Sequence, residues 1–345
     1  MFHDLEVTAV EQLTRDAVAI TARPLSGTFD FKPGQYLTFR REFDGAELRR
    51  SYSICAAPGQ GLRVGIKRVD GGAFSSWAQG LQPGDRLEAM TPMGSFHKPG
   101  GRHVLGFAAG SGITPILSIL TATLAEDAQS TFTLVYGNRT RASIMFRDAL
   151  SDLKDTYLGR LNIIHVLSGE TQETPLFEGR IDAAKCDALF QHWIDVANAD
   201  RAYICGPEAM MADVASALEA EGMPKTDIRY ELFGASLPGR AAKAPVADAA
   251  KGIPASVTLE GETRQFTLSP TLSLLDAARG QSLDAPFACC AGVCSTCKAR
   301  VTDGEVEMAA NHALEDYEVE QGFVLTCQAY ARSDRVAWDY DQAGH

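Results

Sequence analysis

Cys289, Cys294, Cys297 and Cys327 follow the spacing C-x4-C-x2-C, then 29 residues, then C, within PFACCAGVCSTCKA and VLTCQAY. This is the plant-type spacing in which four thiolates hold the two irons of a [2Fe–2S] cluster. Three of the thiolates must converge on one short loop. The small residues Ala291, Gly292 and Ser295 let backbone amides approach the cluster sulfides there, and hydrogen bonds of that kind tune the reduction potential. Zinc is the alternative metal, but zinc usually takes paired C-x2-C knuckles. The quartet predicts a one-electron centre near the end of the 345-residue chain. Such a centre needs an electron donor.

Candidate donors lie upstream. Arg50, Tyr52 and Ser53 form an R-x-Y-S pattern on a strand. A flavin needs a flat aromatic packing surface, donors along its edge and a cation near its pyrophosphate, and alternate strand residues share a face. Alone, the tetrapeptide is equally an ordinary strand containing Tyr and Arg. Gly71-Gly72-Ala73-Phe74-Ser75-Ser76 precedes the helix-like SSWAQGL. Glycines followed by hydroxyls at a helix start expose backbone N–H groups to an anion such as a pyrophosphate; a Gly turn with a Ser helix cap reads the same way. Gly72, Phe74, Ser75 and Ser76, with Lys67 at the end of LRVGIK, complete the flavin-site candidates.

Two further glycine turns point to a nucleotide. Gly110-Ser111-Gly112-Ile113-Thr114-Pro115 joins an apolar strand to a helix, the geometry that cradles a dinucleotide, although it is not G-x-G-x-x-G. Pro115 suits the first helical turn, and Thr114 is expected to reach the nicotinamide or flavin edge. Cys205-Gly206-Pro207 sits at another strand's carboxyl end. Gly206 permits close approach by a ligand, Pro207 starts a helix, and Cys205 is expected to project into the crevice; a buried core thiol is the alternative. Ser53, Thr114 and Cys205 are thus the candidates nearest the reacting atoms. Arg139 and Arg141 follow the second sheet strand, and Ser168 ends another. They stand where the 2′-phosphate of NADPH would be read, with no acid immediately there to hold the free ribose of NADH; two solvated arginines are the plainer alternative. His97, His103 and His165 are given no catalytic role.

The elements that must position these residues fall into segments. Residues 1–102 hold short alternating strands (QYLTFR, RRSYSI, LRVGIKRV, DRLEAMTP), which predict an antiparallel β-barrel. Residues 103–234 alternate apolar strands (HVLGFAAG, TFTLVYG, NIIHVLS, RAYICG, IRYELF) with helical patterns, which predict a doubly wound parallel sheet. Residues 235–252, rich in Ala, Pro and Gly, read as a semi-stiff linker. Residues 253–345 open with the hairpin-like SVTLEGETRQFTL and carry the cysteine quartet.

Composition narrows the function. No run approaches the roughly 18 apolar residues that cross a membrane, and the N-terminal stretch has neither signal- nor transit-peptide character, so a soluble cytoplasmic protein is expected. The net charge of −12 argues against nonspecific nucleic-acid binding. Residues 253–345 hold 14 Asp and Glu against 6 Lys and Arg, a balance of −8. This is a solvated face or a surface steered toward a basic partner. Cys55, Cys186, Cys205 and Cys290 are left as thiols.

In this order, R-x-Y-S, G-G-x-F-S, G-S-G-I-T-P and C-G-P resemble the ferredoxin–NADP reductase superfamily over residues 1–234, with a β-grasp-type ferredoxin module after them. The resemblance implies FAD on the first domain, NAD(P)H on the second, Cys205 near the nicotinamide, and Phe233 in YELFG as a flavin contact. The longer motifs YGNRTRASIMFRDAL, GEVEMAANHALEDYEV and VLTCQAY look like the reductase subunits of phenylacetyl-CoA epoxidase systems. Cys290 departs from that pattern, where a basic or polar residue is expected. The implied route runs from NADPH (or NADH) to FAD to the cluster to an oxygenase component, a di-iron epoxidase complex, with the reductase a monomer or weak oligomer. A reductase for another oxygenase, such as a Rieske type, and a redox-sensing adaptor are the rival readings.

Overall fold

The computed structural model describes residues 2–98, 100–233, 252–311, 313–314 and 316–343. The chain divides into two compact units, Met1–Glu231 and Leu232–His345. The expected linker, apart from Gly252, lies outside the described residues.

The first unit begins with six strands, β1 (Phe2–Thr14), β2 (Ala17–Pro24), β3 (Tyr36–Phe43), β4 (Ala46–Ser53), β5 (Leu62–Lys67) and β6 (Arg86–Met90). They form one antiparallel sheet in the order β4-β3-β6-β1-β2-β5. An Ile54–Val64 bridge just past β4 meets β5 and closes the sheet into a barrel. The β3–β4 hairpin turns on Asp44 and Gly45, both at positive φ, as a two-residue turn between twisted strands requires. Leu5, Val18, Ile20, Leu37, Phe39, Val64 and Ile66 fill the interior. The short helix α1 (Ala73–Trp77) adds Phe74 to that core.

The same unit continues through β7 (His103–Ala109), α2 (Ile113–Glu126), β8 (Thr131–Asn138), α3 (Arg147–Thr156), β9 (Leu161–Leu167), α4 (Ala183–His192), β10 (Arg201–Cys205), α5 (Glu208–Ala220) and β11 (Ile228–Glu231). The sheet is wholly parallel, in the order β11-β10-β7-β8-β9. The chain runs outward from β7 to β9, then returns to β10 on the other side. The switch point therefore lies between β7 and β10, whose carboxyl ends carry the two glycine turns. Helix α2 is apolar on nearly every side, as a helix buried between layers must be. Its Ser118 hydroxyl donates to Ala56 O of the barrel at 2.6 Å. Arg201 reaches back to the connecting segment, donating to Lys98 O at 2.6 Å and Gly100 O at 2.7 Å.

The second unit holds β12 (Ile253–Leu259), β13 (Glu262–Leu268), α6 (Leu274–Gly280), β14 (Lys298–Asp303), β15 (Val306–Met308), α7 (Asp316–Glu320), β16 (Phe323–Leu325), β17 (Ala329–Ala331) and β18 (Val336–Asp339). Five strands make a mixed sheet, β13-β12-β18-β14-β16, with β12 and β18 parallel. Helix α6, capped by Ser273 Oγ on Asp276 N at 3.1 Å, buries Leu274, Leu275, Ala277 and Ala278 in a core that includes Trp338 and Leu325.

Candidate functional site

At the switch point two turns touch through backbone alone. A Cβ on Gly112 would fall 2.0 Å from Cys205 O, so only glycine lets the Gly110–Gly112 turn rest on the end of β10. A Cβ on Gly206 would fall 2.6 Å from Met210 Cε. Gly110 sits at φ 54 with open space beside it, where a ligand can come close to backbone N–H groups. Pro207 is the N-cap of α5 rather than its first residue. Pro115 falls in the first turn of α2, as expected.

Several expected site side chains turn inward. Cys205 is fully buried, and burial together with the nearby Glu231 carboxyl pushes its thiol well above the ordinary range, so it stays neutral. The Thr114 hydroxyl was expected to reach the flavin or nicotinamide; it is buried and donates to Ser111 O at 3.0 Å, closing its own turn. Ser75 Oγ accepts from Val69 N at 3.1 Å and donates to Gly72 O at 3.3 Å, so it braces the glycine turn from inside. Phe74 is 2% exposed and belongs to the barrel core. Ser76 remains outside, and Gly71 holds φ 75 with nothing near it. Arg50 is exposed, with its guanidinium on Arg49 O at 2.7 Å. Tyr52 is half-buried, its ring 5.5 Å from Phe74 and tilted by 31°. Lys67 lies 3.7 Å from Asp16.

Glu231 was not anticipated from the sequence. Ser53 Oγ donates to Glu231 Oε2 at 3.0 Å, joining the barrel to the last strand of the parallel sheet. By surface area Glu231 is half-buried, yet its carboxyl is crowded by protein, and this desolvation outweighs the Ser53 hydrogen bond and raises its pKa to about 7. The available signal was a lone acid within the apolar strand IRYELF. Phe233 follows β11 by two residues, beyond this unit, and is half-buried.

Arg139 and Arg141 are exposed just past β8. Ser168 is beside them, because Ser168 N donates to Asn138 O at 2.9 Å and Gly169 N to Arg139 O at 2.7 Å. Among the described residues neither arginine has an ion-pair partner. Burial first, then the Arg141 charge, lower the pKa of His165, which is therefore neutral.

In the second unit the thiols come in two pairs. Register sets one of them: Lys298 of β14 faces Leu325 of β16, so Cys297 and Cys327 flank the same ladder, and Thr326 N donates to Cys297 O at 3.1 Å. The neighbouring Cys327 and burial raise the pKa of the Cys297 thiol. The other pair is Cys289 and Cys294. Cys289 N reaches Cys294 Sγ at 3.5 Å, and Ala291 N reaches Cys289 Sγ at 3.3 Å. The Cys294 thiol, with the Ala291, Val293 and Cys294 amides and against desolvation, lowers the Cys289 pKa to about 6, favouring the thiolate that binds metal. Among the described residues no three His, Cys, Asp or Glu side chains converge on one point as a single ion would need. Two pairs suit two irons with two thiolates each. The loop bends through positive φ at Cys290, Gly292 and Ser295. At Gly292 a Cβ would meet Ala310 O at 2.9 Å. Cys290 is exposed and its carbonyl accepts from Gln328 Nε2 at 2.9 Å, so it is held outward in the loop.

The chain matches family models for an oxidoreductase FAD-binding domain over residues 4–98, an oxidoreductase NAD-binding domain over 107–216 and a 2Fe-2S iron-sulfur cluster binding domain over 257–332. Fold and sites together define an NAD(P)H-dependent oxidoreductase that uses FAD, a pyridine nucleotide and a [2Fe–2S] cluster. Phthalate dioxygenase reductase shares the fold, with a TM-score of 0.60 at 23% identity and 98% of both chains covered. The ferredoxin reductase component of 3-ketosteroid-9-alpha-monooxygenase from Mycolicibacterium smegmatis is 34% identical over 98% of this chain and 97% of its own. A component protein of the 1,2-phenylacetyl-CoA epoxidase of Escherichia coli K12 is 45% identical over 99% of each chain. The chain belongs to this family of oxygenase reductases and passes electrons to an oxygenase partner.

Proposed function

We propose that the protein oxidises NADPH and supplies single electrons to a di-iron epoxidase acting on phenylacetyl-CoA. The end-to-end identity of 45% with a component of the Escherichia coli phenylacetyl-CoA epoxidase carries this reading. When bound, the flavin and the cluster supply the conversion of a two-electron donor into one-electron deliveries. The chain's own groups bind and orient. Arg50 and the Gly71–Ser76 turn face the flavin pyrophosphate, and Tyr52 packs against the ring. The Gly110–Gly112 turn and Gly206 admit the nucleotide to backbone range. Arg139, Arg141 and Ser168 read the 2′-phosphate, since two exposed guanidiniums without counter-ions among the described residues suit a dianion. Glu231, with its pKa near 7, gains or releases a proton close to neutral pH, and Ser53 Oγ, by donating to Oε2, ties that carboxyl to the barrel. The pairs Cys289–Cys294 and Cys297–Cys327 hold the cluster.

Reconstitution with the oxygenase component tests this reading. NADPH-driven, phenylacetyl-CoA-dependent product formation is expected, and none with NADPH and a competent oxygenase would refute it. The 34% match to the 3-ketosteroid-9-alpha-monooxygenase component favours one alternative, service to a monooxygenase of that kind; preferential turnover with such an oxygenase would establish it.

A further inference from the structure

We propose that Gly65 and Phe146 form a notch and wedge that set the spacing between the flavin barrel and the nucleotide turn, making Phe146 a positioning residue for hydride transfer. In that step the reduced nicotinamide gives up a hydride, becoming NADP+, and the flavin accepts it. Strand β5 sends Leu62, Val64 and Ile66 into the barrel core. Arg63, Gly65 and Lys67 therefore share its outer face. A Cβ on Gly65 would lie 2.8 Å from Thr114 Cγ2 and 2.9 Å from Phe146 Cζ. The two sheets of this unit thus meet at a residue with no side chain.

Neither neighbour has room to retreat. Thr114 is 2% exposed, and its hydroxyl bond to Ser111 O fixes the direction of the methyl. Phe146 is also 2% exposed and sits at φ 57, a conformation that bulky side chains rarely adopt. Such strain persists only where the surroundings over-determine it. Here they do: Phe146 is the N-cap of α3, and its carbonyl accepts from Leu150 N at 2.9 Å. Its ring is held between the barrel and its own sheet, with the Arg63 guanidinium 5.4 Å from the centroid. Moving the ring means moving the start of α3. Thr114 opens the helix that follows the turn assigned above to the nucleotide, and the proposal rests on that assignment.

Three proteins test the contact: Gly65→Ala, Phe146→Leu and the double variant. Anaerobic stopped-flow follows flavin reduction by NADPH. Gly65→Ala is expected to slow it by roughly 10- to 100-fold, the scale of a sub-ångström to 1 Å displacement of reacting atoms. FAD content and the dissociation constant for NADP+ stay within about twofold, because the contact sets geometry and not binding. Shortening the wedge in the double variant restores most of the lost rate. Amide exchange gives a readout without turnover: Gly65→Ala speeds exchange over residues 113–118 and 146–150, and the double variant reverses it. An unchanged hydride-transfer rate in Gly65→Ala, or a double variant no faster than Gly65→Ala, overturns the proposal. If Gly65→Ala yields no folded protein, Phe146→Ala carries the test, and an unchanged rate overturns the proposal there too. A further variant, Gly112→Ala, separates the two readings. Its Cβ would meet Cys205 O and not the notch, so unweakened NADP+ binding there would count against the turn's assignment, whereas the notch stands or falls on Gly65 and Phe146.

Discussion

In the cluster unit the proposed binding groups are side chains, four thiols that strand register and a tight loop bring together in pairs. In the flavin–nucleotide unit the corresponding side chains mostly face away. Thr114, Ser75 and Ser53 commit their hydroxyls to Ser111, to Val69 and Gly72, and to Glu231, and what is left toward the ligand is glycine backbone. A metal cluster needs charged ligands at fixed positions. A flavin or nucleotide needs close approach to N–H groups, and any side chain there is an obstacle. The first kind of site should fail when a ligand is removed, the second when an atom is added.

The largest effect is expected at the thiols. Cys294→Ser or Cys297→Ser should eliminate the visible iron–sulfur absorbance and oxygenase-coupled turnover while FAD is retained; two irons per chain in either variant would break the comparison. Cys290→Ser should keep both irons, since its exposed thiol stands outside the two pairs.

Adding one methyl comes next. Gly112→Ala places a Cβ 2.0 Å from Cys205 O. Overpacking against a backbone that cannot shift costs about 1–3 kcal/mol. Thermal unfolding should show this loss, and nucleotide titration should show weakened binding, with the cluster spectrum unchanged.

Arg139→Ala with Arg141→Ala sharpens an exception, the place in the first unit where side chains are expected to read the nucleotide. Losing charge-assisted contacts costs roughly 1.5–3 kcal/mol, about ten- to a hundredfold, on NADPH but not on NADH. Equal losses with both nucleotides would count against a 2′-phosphate role.

A further effect depends on pH. Glu231 has its pKa raised from 4.5 to about 7 in the folded protein. A carboxyl that is neutral when folded and ionised when unfolded stabilises most at low pH, and that contribution fades as pH rises from about 4.5 through 7. Glu231→Gln should therefore gain stability relative to the parent between about pH 5 and pH 8, by about 1–3 kcal/mol after allowing for partial exposure. An inflection near pH 7 in flavin reduction should vanish with it. A relative stability that does not change with pH would contradict a Glu231 carboxyl held neutral by folding.

The contrast also decides what the sequence disclosed. Type and spacing alone marked Cys289, Cys294, Cys297 and Cys327, and hydrophobic period separated the barrel strands from the parallel sheet. The glycine turns were visible as motifs, because a glycine beside a helix start has few other uses. The direction of a hydroxyl was not visible: Thr114 and Ser75 each have a partner within six residues that competes with the ligand. Glu231 was missed because its meaning depends on Ser53, 178 positions away. Gly65 and Phe146 were missed for the same reason, since neither residue is unusual until the two sheets meet. Helix α4, with a weak apolar face, left no clear period in DAAKCDALFQH.

The most direct test of the electron route compares the full chain with one ending at Phe233, which retains the compact Met1–Glu231 unit. Both are assayed with NADPH, once with ferricyanide and once with the oxygenase. The shortened chain should keep FAD and ferricyanide reduction and give no oxygenase turnover, because the exit through the four thiols is gone. In the full chain, added salt should depress oxygenase turnover more than ferricyanide reduction, given the acidic excess of residues 253–345. Full oxygenase turnover by the shortened chain would contradict an obligatory exit through the cluster.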